Sequence, residues 1–136
     1  EDIDGRPLFL EQYKGKVVLL DFWATWCMSC VAEVPHLVAV HRKYKEQGFE
    51  VLGVSADGAA DREKVVAFVK KHGMTWRQIH DSESALSERY GVTAYPVVLL
   101  IGRDGKIAAV DVHGEALDAA VHAAVAKGRQ TTEDRR

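Results

Sequence analysis

The sequence predicts an α/β domain: a central mixed sheet with helices on both faces. Three observations predict it. Short apolar runs at Val17–Trp23, Phe49–Ser55 and Val97–Ile101 alternate with longer segments of helical spacing, the pattern of crossover helices covering a parallel sheet. Asp104-Gly105 is a hairpin signal, so one strand pair must be antiparallel. At 136 residues and 47% hydrophobic content, the chain suits a single domain with a core that needs no disulfide staples.

The first strand, Val17–Trp23, is short and β-branched at its start, between Lys14-Gly15-Lys16 and a pair of cysteines. A helix over 28–47 follows, with Val31, Val34, Val38 and His41 or Arg42 at helical spacing and Gly48 as its stop. Pro35 lies inside it, where a missing N–H either bends the helix beyond Cys30 or serves packing alone. Phe49–Ser55 reads as the second strand and 61–71 as the second helix, capped by Asp61 and closed by Gly73. A short strand is expected over 76–80 and a brief helix over 82–90, before Gly91. Pro96 introduces the buried strand Val97–Ile101, the hairpin leads into 107–112, and a last helix runs over 114–126. The domain is thus expected to span 1–126, with 127–136 a polar tail fraying into solvent.

Composition removes several classes of function. Eighteen Lys and Arg against twenty Asp and Glu give a formal charge of -2, with no basic stripe to neutralise a row of phosphates, so nucleic acid is not an expected partner. The longest apolar stretches reach about eight residues, far short of the roughly twenty of a membrane-spanning helix. The acidic start, Glu1-Asp2-Ile3-Asp4-Gly5, lacks the basic and apolar regions of a signal peptide. Beginning without methionine, the sequence is expected to be a piece of a longer protein whose leader or anchor lies outside it.

Chemistry concentrates in Trp26-Cys27-Met28-Ser29-Cys30, which holds the only two cysteines. A Cys-x-x-Cys pair at a strand-to-helix junction lets one thiolate attack a disulfide while its neighbour releases the product. Half of a structural zinc site has the same spacing, but no second Cys pair or His-x3-5-His pair completes four ligands, and the six histidines are scattered. Two inert buried thiols are the remaining bland alternative. In the exchange reading Cys27, at the helix start, is the nucleophile, because unpaired N–H groups and the helix dipole stabilise its thiolate. Cys30, one turn in and more buried, resolves the mixed disulfide. Asp21, a carboxylate within an apolar strand, is the candidate base for the Cys30 proton if it is buried, or an idle surface ion pair if it faces outward.

These features together resemble the thioredoxin superfamily. The run from Gly15 through Leu37, with its Phe22-Trp23-Ala24-Thr25-Trp26-Cys27, is most similar to the TlpA/ResA-like reductases that serve cytochrome c maturation and related extracytoplasmic tasks. The similarity continues through Tyr90-Gly91-Val92-Thr93-Ala94-Tyr95-Pro96 to Asp104-Gly105-Lys106-Ile107. The resemblance implies a thioredoxin fold with a helical insertion after the second core strand, and an extracytoplasmic location. It implies a thiol–disulfide oxidoreductase acting mainly as a reductase, with no cofactor and no metal. A protein disulfide would be its substrate and a membrane protein of the CcdA/DsbD kind its electron donor. Residue by residue, Cys27 matches the attacking cysteine, Cys30 the resolving one, Asp21 the buried acid and Pro96 the cis-proline beside the disulfide. Trp26, Met28, Ser29 and Tyr95 would border the substrate, Tyr95 having a core aromatic as its alternative.

The departures are specific. Ser29 stands where the family usually has proline, adding a backbone donor and a hydroxyl near the sulfurs. A further glutamate, common near the second strand's end in these reductases, is replaced by Ser55-Ala56-Asp57-Gly58, leaving Asp57 as a displaced candidate for a second acid. Gly53 stands near the place of thioredoxin's partner lysine. Two competing functions fit the residues less well. A peroxiredoxin-type peroxidase would need Pro-x-x-x-Thr-x-x-Cys, whereas Thr25 sits two before Cys27 and five before Cys30. A Cu(I) metallochaperone would need a third soft ligand, for which only Met28 is adjacent.

Overall fold

Seven consecutive buried residues make Val17–Trp23, strand β1, the centre of the molecule. The computed structural model describes residues 1–134, with side chains through Lys127. On one side β1 pairs in parallel with β2, Phe49–Ser55, which pairs in parallel with the edge strand β3, Arg77–His80. On the other it runs antiparallel to β4, Val97–Ile101, which forms the hairpin with β5, Ile107–Val110. The order β3-β2-β1-β4-β5 is the expected mixed sheet. With both faces covered, β1 has no polar alternation, and its successive side chains feed two cores.

Val17, Leu19 and Trp23 enter the larger core with helix α1, Met28–Tyr44, helix α2, Arg62–Lys71, and helix α4, Gly114–Asp134. Val18, Leu20 and Phe22 enter the smaller one, covered by Leu86 of the short helix α3, Ala85–Arg89, by Tyr90, Val92 and Tyr95 beyond it, and by Leu8 and Tyr13. Helices therefore flank both faces unequally, and α2 is the insertion after the second core strand. Among the described residues no helix is long and apolar enough to cross a membrane.

Several local expectations need correction. The buried stripe of α1 runs Cys30, Val34, Leu37, His41 and Tyr44, while Val31 and Val38 are only half-buried. Of the residues read at helical spacing, Val34 and His41 lie on this stripe, which begins with cysteine and ends with tyrosine. Pro35 lies within α1 but is exposed, so core packing is not its role. Asp61 makes no capping hydrogen bond, because a 3-10 turn over Ala59–Asp61 leaves it without the extended backbone a cap requires. α3 starts later than expected because Ser84 has φ 60° and the Asp81 carboxylate accepts from the Leu86 and Ser87 amides at 3.1 and 3.0 Å. β3 begins at Arg77, Trp76 having turned into the core. β5 ends at Val110 because Asp111 adopts φ 52° and accepts from the Val98 amide at 3.1 Å.

α4 continues past Ala126 to Asp134, since propagating an established helix is easier than nucleating one. The polar tail read at 127–136 thus begins inside this helix. Its side chains after Lys127, and residues 135 and 136 entirely, lie outside the described residues.

Gly53 lies opposite Asp21 in the β1–β2 register, and the space beside it is filled by Gln78, whose Oε1 accepts from the buried Trp23 indole at 2.9 Å. A Cβ at Gly53 would collide with the Gln78 side chain. Gly53→Ala is therefore expected to destabilise the domain by about 1–3 kcal/mol through overpacking and loss of the indole hydrogen bond. The urea midpoint measures this, and an unchanged midpoint would mean that Gln78 yields freely.

Candidate active site

The chain leaves β1 at Trp23 and enters α1 at Met28, so the four intervening residues are fixed at both ends. Cys27 occupies the N-cap with extended backbone, φ -90° and ψ 106°, and its sulfur accepts from the Cys30 amide at 3.2 Å. This is the task of a capping oxygen, carried out by sulfur at the positive end of the helix. Cys27 and Cys30 are joined as a disulfide, and both are buried, at 7% and 3% exposure. The Ser29 hydroxyl lies 3.5 Å from the Cys27 sulfur, near the sulfurs as its position predicts.

Around this disulfide the surface is apolar and open. Trp26 is 58% and Met28 86% exposed, against the usual burial of such side chains. The Trp26 ring meets Tyr95 edge to face at 5.7 Å between centroids, and the Tyr95–Pro96 peptide is cis. Tyr95 is half-buried, and its hydroxyl donates to Ser87 Oγ at 3.0 Å, which donates to Asp81 at 3.1 Å. The Tyr95 side chain packs against both cores while its ring meets Trp26.

Asp21 is not at the surface. It is 3% exposed, and no cation pairs with it among the described residues. Alternation along β1 puts it in the same series as Leu19 and Trp23, facing the core that contains both cysteines. Burial, and secondarily the negative charge of Glu33, push its carboxyl up to about 7.

Glu33 was missed in the sequence. It stands one helical turn after Cys30, the spacing that returns a side chain to the same face. Its Oε2 is buried without a hydrogen-bond partner, 3.8 Å from Nδ1 of His113. An acid three residues beyond the second cysteine was the available signal.

Asp57, the displaced candidate for a second acid, is committed to hydrogen bonds with the loop before Cys27. Fully buried, its carboxylate accepts from the Thr25 amide at 3.1 Å, from the Thr25 hydroxyl at 2.5 Å and from the Ser55 hydroxyl at 2.7 Å. Those bonds tie the loop preceding Cys27 to the end of β2. They also direct the Thr25 hydroxyl to Asp57. Among the described residues, no group of three or more His, Cys, Asp or Glu side chains is placed to hold a metal ion.

A strand-loop-helix carrying an N-capping cysteine, disulfide-bonded to Cys30 beside a five-stranded mixed sheet, defines a thioredoxin-fold domain with a Cys-x-x-Cys disulfide. Residues 1–110 match the AhpC/TSA family, and the chain belongs to it. It is 36% identical over 106 residues to thiol-disulfide oxidoreductase ResA of Bacillus thuringiensis subsp. konkukian, covering 78% of this chain and 60% of that protein. The ResA protein of Halalkalibacterium halodurans is 33% identical over 114 residues, covering 84% of this chain and 64% of the relative. The chain therefore spans somewhat less than two thirds of the length of these relatives. Among solved structures, the thioredoxin domain of a thiol-disulfide oxidoreductase from Bacteroides vulgatus superposes with a TM-score of 0.79 at 30% identity. That match covers 91% of this chain and 89% of the other.

The Asp21 carboxyl imposes a sign on stability. Folded, it holds its proton up to about 7; an unfolded aspartate ionises near 3.8. Between these values the folded state binds more protons, so stability falls as pH rises through the window and levels off above it. Asp21→Asn should remove this slope between about pH 4 and 7 and be more stable than the parent near pH 8. Urea unfolding of the oxidised proteins at stepped pH is the measurement; parallel curves would assign the slope elsewhere.

Proposed function

We propose that this domain reduces protein disulfides outside the cytoplasm. The observation that carries the reading is the pairing of an N-capping Cys27 with a buried Cys30 over a core-facing Asp21 that retains its proton to about 7. In the reduced domain the Cys27 thiolate attacks one sulfur of a substrate disulfide, and the other substrate sulfur leaves as a thiolate. Asp21 then takes the Cys30 proton, and the Cys30 thiolate attacks the Cys27 sulfur. The Cys27–substrate bond breaks, leaving the Cys27–Cys30 disulfide and transferring two electrons to the substrate. The exposed Trp26 and Met28, with Ser29, Tyr95 and Pro96, form the surface proposed to receive the substrate chain.

The ResA relatives are named thiol-disulfide oxidoreductases, which favours exchange. Resemblance to the TlpA/ResA-like reductases supports an extracytoplasmic setting and a membrane electron donor of the CcdA/DsbD kind. The commitment of the Thr25 hydroxyl to Asp57 favours exchange over peroxide reduction, which would need a hydroxyl serving the attacking sulfur.

Cys30→Ser should accumulate a mixed disulfide through Cys27 with a protein substrate, whereas Cys27→Ser should form none. Asp21→Asn should slow resolution of that conjugate by on the order of ten- to a hundred-fold without preventing its formation. Non-reducing electrophoresis with mass spectrometry reads both effects. Absence of a Cys30→Ser conjugate, or rapid thiol-dependent consumption of peroxide by the parent protein, would overturn the proposal.

A further inference from the structure

A buried base that collects a proton in every cycle must also pass it to solvent, and Asp21 has almost no exposed surface. Glu33, one turn beyond Cys30 on the helix that covers the face of β1 carrying Asp21, is the acid whose negative charge acts on it; it is partly exposed at 26% of its side chain, with one buried oxygen that lacks a hydrogen bond. An unpartnered carboxylate oxygen in such a setting is costly unless a proton or a donor visits it. The group facing it is the His113 imidazole, with Nδ1 at 3.8 Å and 36% of its side chain exposed. Exposure thus rises in order from Asp21 to Glu33 to His113. The backbone at His113 is held in place: its carbonyl accepts from the Leu117 amide at 3.4 Å, and the preceding Asp111 is pinned to Val98. The gap of 3.8 Å exceeds a direct hydrogen bond and closes with a small side-chain rotation or one bridging water.

We propose that His113, acting through Glu33, is the solvent-facing end of the path by which Asp21 exchanges its proton. The inference rests on the reading of Asp21 as base for Cys30. In each turnover the proton leaves Cys30 for the Asp21 carboxylate and moves to the Glu33 carboxylate. It then reaches His113 Nδ1, while a proton leaves Nε2 to water and the ring returns to its starting form by tautomer exchange. No electrons move along this path, and each group is restored at the end. His113 touches neither substrate nor sulfur, so it is a positioning residue for the proton and not a catalytic one.

The test is the rate at which a mixed disulfide between Cys27 and a model peptide is resolved, with Cys30 intact. His113→Ala should slow this step by on the order of ten-fold, and added imidazole should restore it in proportion to its concentration while leaving the parent protein unchanged. Glu33→Gln should slow it similarly, and the double variant should be no slower than either single one. A parent-like rate in His113→Ala overturns the relay. So does a slow rate that imidazole does not restore but His113→Gln does, since that would mark a packing role. Asp21→Asn separates the levels: if it is slow while His113→Ala is not, only the relay fails; if it too is parent-like, the assignment of Asp21 fails and the relay with it.

Discussion

The junction between β1 and α1 constrains everything around the disulfide. Because β1 is buried on both faces, its direction and register cannot slip without moving a whole set of apolar side chains to the wrong core. That rigid strand ends where the helix must begin, and the Cys30 amide, one of the unpaired donors of the first turn, finds the Cys27 sulfur as its acceptor. Two further ties hold the joint: the Ala56 amide donates to the Trp23 carbonyl at 2.8 Å, and Asp57 grips Thr25 from the neighbouring strand. The placement of the sulfur follows from closing this loop.

Three carboxylates near the loop show how environment divides the labour of one functional group. Asp57 is fully buried yet satisfied by Thr25 and Ser55, so it acts as a clamp. Asp21 is nearly as buried, lacks a compensating cation, and lies within reach of another negative charge, so it keeps its proton toward neutrality. Glu33 reaches from the core edge toward a histidine and solvent. A clamp, a buried acid and an outward-reaching acid arise from the same chemistry through their hydrogen bonds and exposure.

The rim around the sulfurs combines exposed apolar surface with one fixed wall. Trp26 and Met28 lie open, as suits a surface that meets another chain, while Tyr95 is anchored through Ser87 to Asp81. Since Asp81 also caps α3, the wall and the short helix share one support. Ser29 adds a hydroxyl at 3.5 Å from the Cys27 sulfur without interrupting α1.

The order of strands and helices was readable because each rests on local periodicity and turn residues: the apolar run of β1, the Asp104-Gly105 hairpin, Gly48 and Gly73 with positive φ at helix ends. The cysteine pair was readable because its spacing is itself the chemistry. Where several polar groups competed, local pattern failed: Asp61, read as a cap, makes no capping hydrogen bond, while Asp81 caps α3 from outside it. By itself the sequence determined the fold class, the element order and which two sulfurs can pair, since these depend on contacts near in the chain. Only the tertiary structure decided that Asp21 faces the core, that Asp57 is bound to Thr25, and that Glu33 meets His113. Those facts depend on which side chains distant in sequence are brought together, and on how much water each loses in the process.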